Sequence, residues 1–288
     1  MLLEALAAQD WHQPIMVTLA VNNTTDDSLA VIEAARNRHH DRLDLHVTQA
    51  NFADRLAHAG SARRLAMDTG LALLGDARDA VLVSTDADTR PPRDWLSANA
   101  AAIAQGADIV GGRIDIDPAE PLPEPARRLR AAWDSYWAAV RTIEDAIDPQ
   151  PCDPAPRHGD HTGASLAIRA DVYRACGGVP LLPTGEDRAL VNAALAMGAR
   201  LVHPANVRTF VSPRLTGRAQ DGMAAAMQAL VDAAETGAPA MAPSFEQWRA
   251  RAHWRKALRA HPDGHALIAR QEPLLPPMLH DMPLEVAP

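Results

Sequence analysis

Apolar residues fall in two recurring patterns along this chain. Some form short runs that end in a polar turn; others repeat every three to four positions. The runs read as buried strands and the repeats as helices packed against them. Strands are predicted over residues 15–21, 43–47, 81–85, 107–116, 163–168, 200–203 and 207–211. Helices are predicted over 27–38, with Leu29, Ile32 and Ala35 on one face, and over 60–74, with Leu65, Leu71 and Leu74. Another follows Pro92 and ends at Ala104, and Leu2, Leu3, Leu6 and Trp11 give a short helical pattern at the start. The longest stripe covers 123–147, where Leu129, Trp133, Tyr136, Trp137, Val140 and Ile147 recur at helical steps and read as a core-facing side. Alternating strands and helices predict an α/β fold with a Rossmann-like, doubly wound, mostly parallel sheet.

Beyond residue 220 the character changes. An alanine-rich helix is predicted over 222–235 and a basic, aromatic one over 245–260. The second is expected to pack on its own domain with its arginines solvated, rather than to lie on a membrane. The tail carries five prolines in residues 273–288 and reads as an extended arm. The chain therefore divides into a main domain, 1–220, a helical extension, 221–272, and a proline-rich tail, 273–288.

Composition narrows the function classes. A chain of 288 residues that is 47% hydrophobic folds around a large core. A net charge of −8 argues against a broad nucleic-acid face. Cys152 and Cys176 form no CxxC pair, so neither a zinc ribbon nor a disulfide framework is expected. No apolar run reaches membrane-spanning length, and the first residues lack a basic, apolar leader. The expectation is a reduced, cytoplasmic, soluble protein.

The candidate chemistry centres on Val81-Leu82-Val83-Ser84-Thr85-Asp86-Ala87-Asp88. Ligands of open α/β sheets bind beyond the carboxyl ends of the strands. Asp86 and Asp88 stand at such an end, as two hard oxygen donors suited to Mg²⁺ or Mn²⁺ on a phosphate-bearing substrate. The competing reading is a solvated turn. His158 and His161 lie in a polar loop, residues 148–160 and just beyond; zinc there would need a third protein ligand, which the sequence does not offer. A place near bound substrate suits them better. Glu186 and Asp187 open a helix, where acids favour the dipole without any chemistry. The paired glycines Gly111 and Gly112 suggest a bulge or a close backbone approach. Trp95, Trp133 and Trp137 could stack on a sugar, but core packing is the stronger reading.

Several of these pieces occur in a fixed order: Asn22-Asn23-Thr24-Thr25-Asp26, Ser84-Thr85-Asp86-Ala87-Asp88, Gly106-Ala107-Asp108-Ile109-Val110-Gly111-Gly112, Gly163-Ala164-Ser165-Leu166-Ala167-Ile168-Arg169, Gly177-Gly178 and Gly185-Glu186-Asp187. From about residue 10 to 215 the set resembles a family 2 glycosyltransferase of the glycosyltransferase A fold, and Val211 to Arg218 resembles bacterial members. The resemblance implies an inverting, metal-dependent transfer of a sugar from a nucleotide-diphosphate donor to an acceptor hydroxyl. It implies that Asp86 and Asp88 hold Mg²⁺ or Mn²⁺ and that Asn22, Asn23 and Asp26 contact the donor nucleoside. It places Arg63 and Asp86 near the donor, makes Asp187 the catalytic base, and puts Glu186 and His161 near the acceptor.

One departure from the family stands out. The family opens with a central strand that this sequence lacks, so a parallel neighbour of the residue 15–21 strand is missing. Three expectations follow: an upstream start supplies it, the proline-rich tail or a second subunit of a homodimer covers the gap, or donor binding has been lost. The last would make the chain a non-catalytic binding or assembly subunit. A sugar nucleotidyltransferase is a further alternative, though it would usually need a glycine-rich basic loop near the start, and none is seen.

Overall fold

The computed structural model describes residues 1–286 apart from 78, 121, 218–221 and 238. In chain order the elements are α1 (Leu2–Ala7), β1 (Ile15–Asn22), α2 (Ser28–Arg38), β2 (Leu43–Ala50), α3 (Ala59–Leu74), β3 (Val81–Ser84), β4 (Thr89–Arg90), α4 (Trp95–Ala104), β5 (Ile109–Gly111) and β6 (Arg113–Ile116). There follow α5 (Glu124–Ile147), β7 (Leu166–Arg169), α6 (Ala170–Ala175), α7 (Glu186–Leu195), β8 (Leu201–Val202), β9 (Arg208–Val211), α8 (Met223–Thr236), β10 (Met241–Pro243), α9 (Phe245–Arg259), α10 (Gly264–Gln271) and β11 (His280–Pro283).

The mixed α/β alternation is as the sequence predicts, but the strands do not join into one mostly parallel sheet. β1 and β2 pair in parallel as a two-stranded ribbon, with Ile15 opposite Leu43 and Asn22 opposite Ala50. A second sheet runs β3-β7-β5-β8, with β7 antiparallel to both its neighbours and β5 parallel to β8. A third runs β4-β9-β6. The reason lies in the connections. β7 follows a long loop rather than a crossover helix, so it runs against its neighbours. β5 and β6 are separated by Gly112 alone, where the chain leaves one sheet for another. A side chain at Gly112 would lie 2.0 Å from Ser165 Oγ, and one at Gly111 would lie 2.2 Å from the Asp160 carbonyl. The glycine pair thus marks a close backbone approach.

β1 pairs only with β2, and β3 only with β7, among the described residues. Residues 15–20 and 81–85 line the same cleft, so two unpaired strand edges border one slot. Helix α3 spans it: a Cβ on Gly70 would lie 3.4 Å from both Leu82 of β3 and Thr18 of β1. Thr18 Oγ1 also donates to the Ala66 carbonyl across 2.9 Å. The described tail residues add no strand to this slot. β11 instead pairs antiparallel with β10, and no other described strand enters the gap.

Two apolar clusters sit on either side of the central strands. One gathers Leu2, Leu6, Ile15, Leu43, Leu45, Trp95, Val110 and Val207. The other gathers Met67, Leu82, Ile109, Leu166, Ile168, Tyr173, Leu190 and Val191. Burial of one such aliphatic side chain contributes about 1.5–3 kcal/mol. Trp95 is fully buried and donates to Ser165 Oγ, so it is core and unavailable for stacking.

The stripe on α5 buries Leu129, Tyr136 and Val140, and Tyr136 stacks on Phe245 of α9. α9 packs on its own chain as expected, but its arginines are not all solvated. Arg255 pairs with Glu144 and Glu272, and Arg259 with Asp148. Glu144 is only 3% exposed and Asp148 is buried, so both need cationic partners. The sequence boundary at 220/221, Arg218 and the last two tail residues lie outside the described residues.

Candidate functional site

The slot opens into a cleft of about 4000 Å³ along the ends of β1 and β3. Every sequence-predicted site residue lines it: Asn22, Asn23, Asp26, Arg63, Asp86, Asp88, His161, Glu186 and Asp187.

The end of β3 is held by side chains reaching to the backbone before β7. Ser84 Oγ donates to the Gly163 carbonyl at 3.2 Å and Thr85 Oγ1 to the Ala164 carbonyl at 2.8 Å. The turn after it is closed by the Thr89 amide and hydroxyl, both donating to the Asp86 carbonyl. This fixes the backbone that presents Asp86 and Asp88. Each carboxylate meets a guanidinium: Asp86 Oδ1 lies 2.7 Å from Arg63 Nη2, and Asp88 Oδ2 lies 2.6 Å from Arg214 Nη2.

Arg63 is the joint of the site. It rises from α3 and donates to Glu186 Oε1 at 2.9 Å, Ser84 Oγ at 2.7 Å, the Gly163 carbonyl at 2.8 Å and Asp86 Oδ1 at 2.7 Å. Burial alone would lower its pKa, but the Asp86 and Glu186 carboxylates outweigh burial and raise it. A side chain at Gly163 would overlap the guanidinium, at 2.1 Å from Cζ, so only glycine fits there. Glu186, 5% exposed, lies on the cleft wall with its Oε1 engaged by Arg63.

Glu186 and Asp187 occupy the first turn of α7, after Gly185 at φ 72°. Asp187 is half-buried, and its Oδ2 accepts the Gly163 amide at 2.7 Å while Oδ1 accepts the Arg188 amide at 2.7 Å. Gly163 therefore ties the β3 end, Arg63 and Asp187 together. At the β1 end, Asn23 adopts φ 48° and its amide bonds both the carbonyl and the amide of Phe52. Asp26 accepts the Ser28 amide at 2.9 Å, so it also opens α2.

Three imidazoles gather nearby: His161 and His203 line the cleft, and His158 packs against His203. The His158 and His203 rings lie 5.5 Å apart and the His161 and His203 rings 5.7 Å apart. Burial, then the charge of His203, pushes His158 down to about 4 and lowers His161 as well. His158 Nε2 is buried without a hydrogen-bond partner. Trp137, 38% exposed, lies on the cleft wall beside Arg141.

Among the described residues no group of three or more His, Cys, Asp or Glu side chains gathers to hold a metal. A closed zinc site at the histidines would need such a group. The two-carboxylate set of Asp86 and Asp88 fits a hard cation that keeps water and phosphate oxygens as its other ligands. Their bound guanidinium groups show that the position favours positive charge. The pairing of His203 with Asp153 and of Arg214 with Asp88 carried no sequence signal, because the partners lie from 50 to more than 100 residues apart.

No protein-family model matches the chain, and no curated protein matches it. Among solved structures it is similar to the mannosyltransferase PcManGT from Pyrobaculum calidifontis in complex with GDP-Man and Mn2+, at 19% identity and a TM-score of 0.49. The alignment covers 96% of this chain and 71% of that one. No helix among the described residues is long and apolar enough to cross a membrane.

Proposed function

We propose that this chain is an inverting, metal-dependent glycosyltransferase that moves a sugar from a nucleotide-diphosphate donor to an acceptor hydroxyl. The observation that carries the reading is the convergence on one cleft of Asp86, Asp88 and Asp187, with Asp86 and Asp187 joined through Arg63 and Gly163. Asp86 and Asp88 would hold Mg²⁺ or Mn²⁺, which stabilises the negative charge that develops on a departing diphosphate. Asn22, Asn23 and Asp26, at the end of β1, face the donor nucleoside.

Asp187 acts as the base. Its carboxylate is oriented by two backbone amides and takes the proton of the acceptor hydroxyl, a contribution of about 10²–10⁴-fold. A single base with no covalent nucleophile implies in-line attack and inversion. Glu186 positions Arg63 from beneath, and Arg63 in turn orients Asp86. His161 lies on the acceptor side.

The unpaired edges of β1 and β3 favour a second reading, a binding or assembly subunit without catalysis. Calorimetric titration with UDP, GDP and their sugars, with and without Mn²⁺, separates the two. The transferase reading requires metal-dependent binding that Asp88→Ala abolishes. Binding that ignores both the metal and the substitution would leave the subunit reading.

A further inference from the structure

The cleft side of α7 carries Asp187, Arg188 and, one turn on, Asn192. Most arginines that line the cleft are spent on carboxylates of the chain itself, as Arg63, Arg169, Arg200 and Arg214 are. Arg188 differs from them: its backbone amide holds Asp187 Oδ1, but among the described residues its exposed guanidinium has no ion pair and no hydrogen-bond partner. The half-buried side-chain amide of Asn192 has no partner among them either.

Residues four apart on a helix stand about 5–6 Å apart at Cβ, so Arg188 and Asn192 can meet one ligand together. The guanidinium offers a planar fork of N–H donors and no acceptor, and the Asn192 amide adds two more donors. This set matches an oxyanion, because phosphate or carboxylate oxygens take charge-assisted bonds from it. A neutral group would displace water from the same donors with little gain. A cation also suits the position. Asp187 is a carboxylate beside the reacting hydroxyl and repels an anionic acceptor, and Arg188, the next residue, offsets that repulsion. Burial is the main influence on the His161 pKa, and the charges of Asp187 and Arg188 also reach that ring, in opposite senses. Acid, cation and ring therefore share one side of the cleft.

We propose that Arg188 and Asn192 form a subsite for an oxyanion, so that the acceptor is an anionic molecule, bearing phosphate or carboxylate, that presents its hydroxyl to Asp187. The subsite stands on the arrangement of α7; its use for an acceptor rests on the transferase reading. In the transfer the hydroxyl proton goes to Asp187 alone. The acceptor oxygen bonds to the anomeric carbon of the sugar, and the bond from that carbon to the donor diphosphate breaks with its electron pair. Arg188 and Asn192 exchange no proton and hold the oxyanion throughout.

Glycerol, glycerate and glycerol 3-phosphate share hydroxyl groups and differ in charge, so together they isolate the oxyanion. Each is titrated by calorimetry into the chain alone and into the chain saturated with Mn²⁺ and GDP, which occupies Asp86 and Asp88. At least one anionic probe should bind, and glycerol should not. Arg188→Gln should weaken that binding about 10–100-fold, the worth of a hydrogen bond to a charged group, and Asn192→Ala about 2–10-fold, with Mn²⁺–nucleotide affinity unchanged. Turnover is read as Mn²⁺-dependent release of nucleotide from GDP-mannose and UDP-glucose. The anionic probe should exceed glycerol in kcat/KM, and Arg188→Gln should bring their ratio near one. Failure of both anions to bind, or binding that Arg188→Gln leaves intact, overturns the subsite. Weaker Mn²⁺–nucleotide binding in Arg188→Gln gives the residue to the donor and overturns the proposal. Glycerol turned over as well as either anion overturns the acceptor role alone, as does anion binding with no probe turned over. No metal-dependent nucleotide binding or turnover by wild type overturns the transferase reading and the acceptor role with it, while titration of the chain alone still decides the subsite.

Discussion

Gly163 and Arg63 show how much of the candidate site rests on one contact. Gly163→Ala should drive a methyl group into the guanidinium and release Asp86, Ser84 and Glu186 together. Metal-dependent nucleotide binding is expected to vanish, measurable by the same calorimetry. Arg63→Ala leaves Glu186 buried without its cation and should cost about 3–5 kcal/mol in urea unfolding. Arg214 behaves differently, because it competes for the oxygen of Asp88 that a cation would take. Arg214→Ala should therefore tighten Mn²⁺ binding measured without nucleotide, whereas a purely structural Arg214 would leave it unchanged. The carboxylates themselves were legible in the sequence because each follows a recognisable local frame, a strand end or a helix start. Their guanidinium partners were not, since Arg63 meets Glu186 across 123 residues and nothing local records that distance. His158 gives a pH dependence of known sign. An unfolded histidine titrates near 6.5 and His158 near 4, so on acidification the unfolded chain takes up the proton first. Its contribution to stability is complete above pH 6.5 and declines toward pH 4. His158→Phe should flatten that part of a plot of unfolding free energy against pH.

At the scale of elements, the α9 attachment is the most exacting. Arg255→Ala would take the cation from Glu144 Oε1 and from Glu272 while Arg141 still holds Glu144 Oε2, and is expected to lower stability by about 1–3 kcal/mol. Leu190→Ala, in the core beneath α7, should cost about 2–5 kcal/mol by leaving a cavity. Both are read from denaturant midpoints at constant slope. The α5 stripe was visible beforehand because a 3.6-residue period survives in the sequence whatever it packs against. Nothing local marks Glu144 and Asp148 as paired, since the arginines of α9 that meet them lie a hundred residues on. Strand positions were also visible as apolar runs. Strand direction was not: an apolar run has no polarity, and the reversal of β7 is set by the loop that delivers it.

The whole molecule is held together unevenly. The paired sheets around β5 and β7 are buried on both sides, whereas the β1–β2 ribbon touches them through side chains of α1 and α3 rather than through a shared ladder. Such a ribbon, with α2 on it, is a cooperative unit of its own, able to open while the rest stays folded. Native-state hydrogen exchange should divide the amides accordingly: those of β1 and β2 released together at a low opening free energy, those of Ile109, Val110 and Ile168 only on global unfolding. A ligand gripping Asn22 at one edge and Asp86 at the other would join the two units and erase the difference.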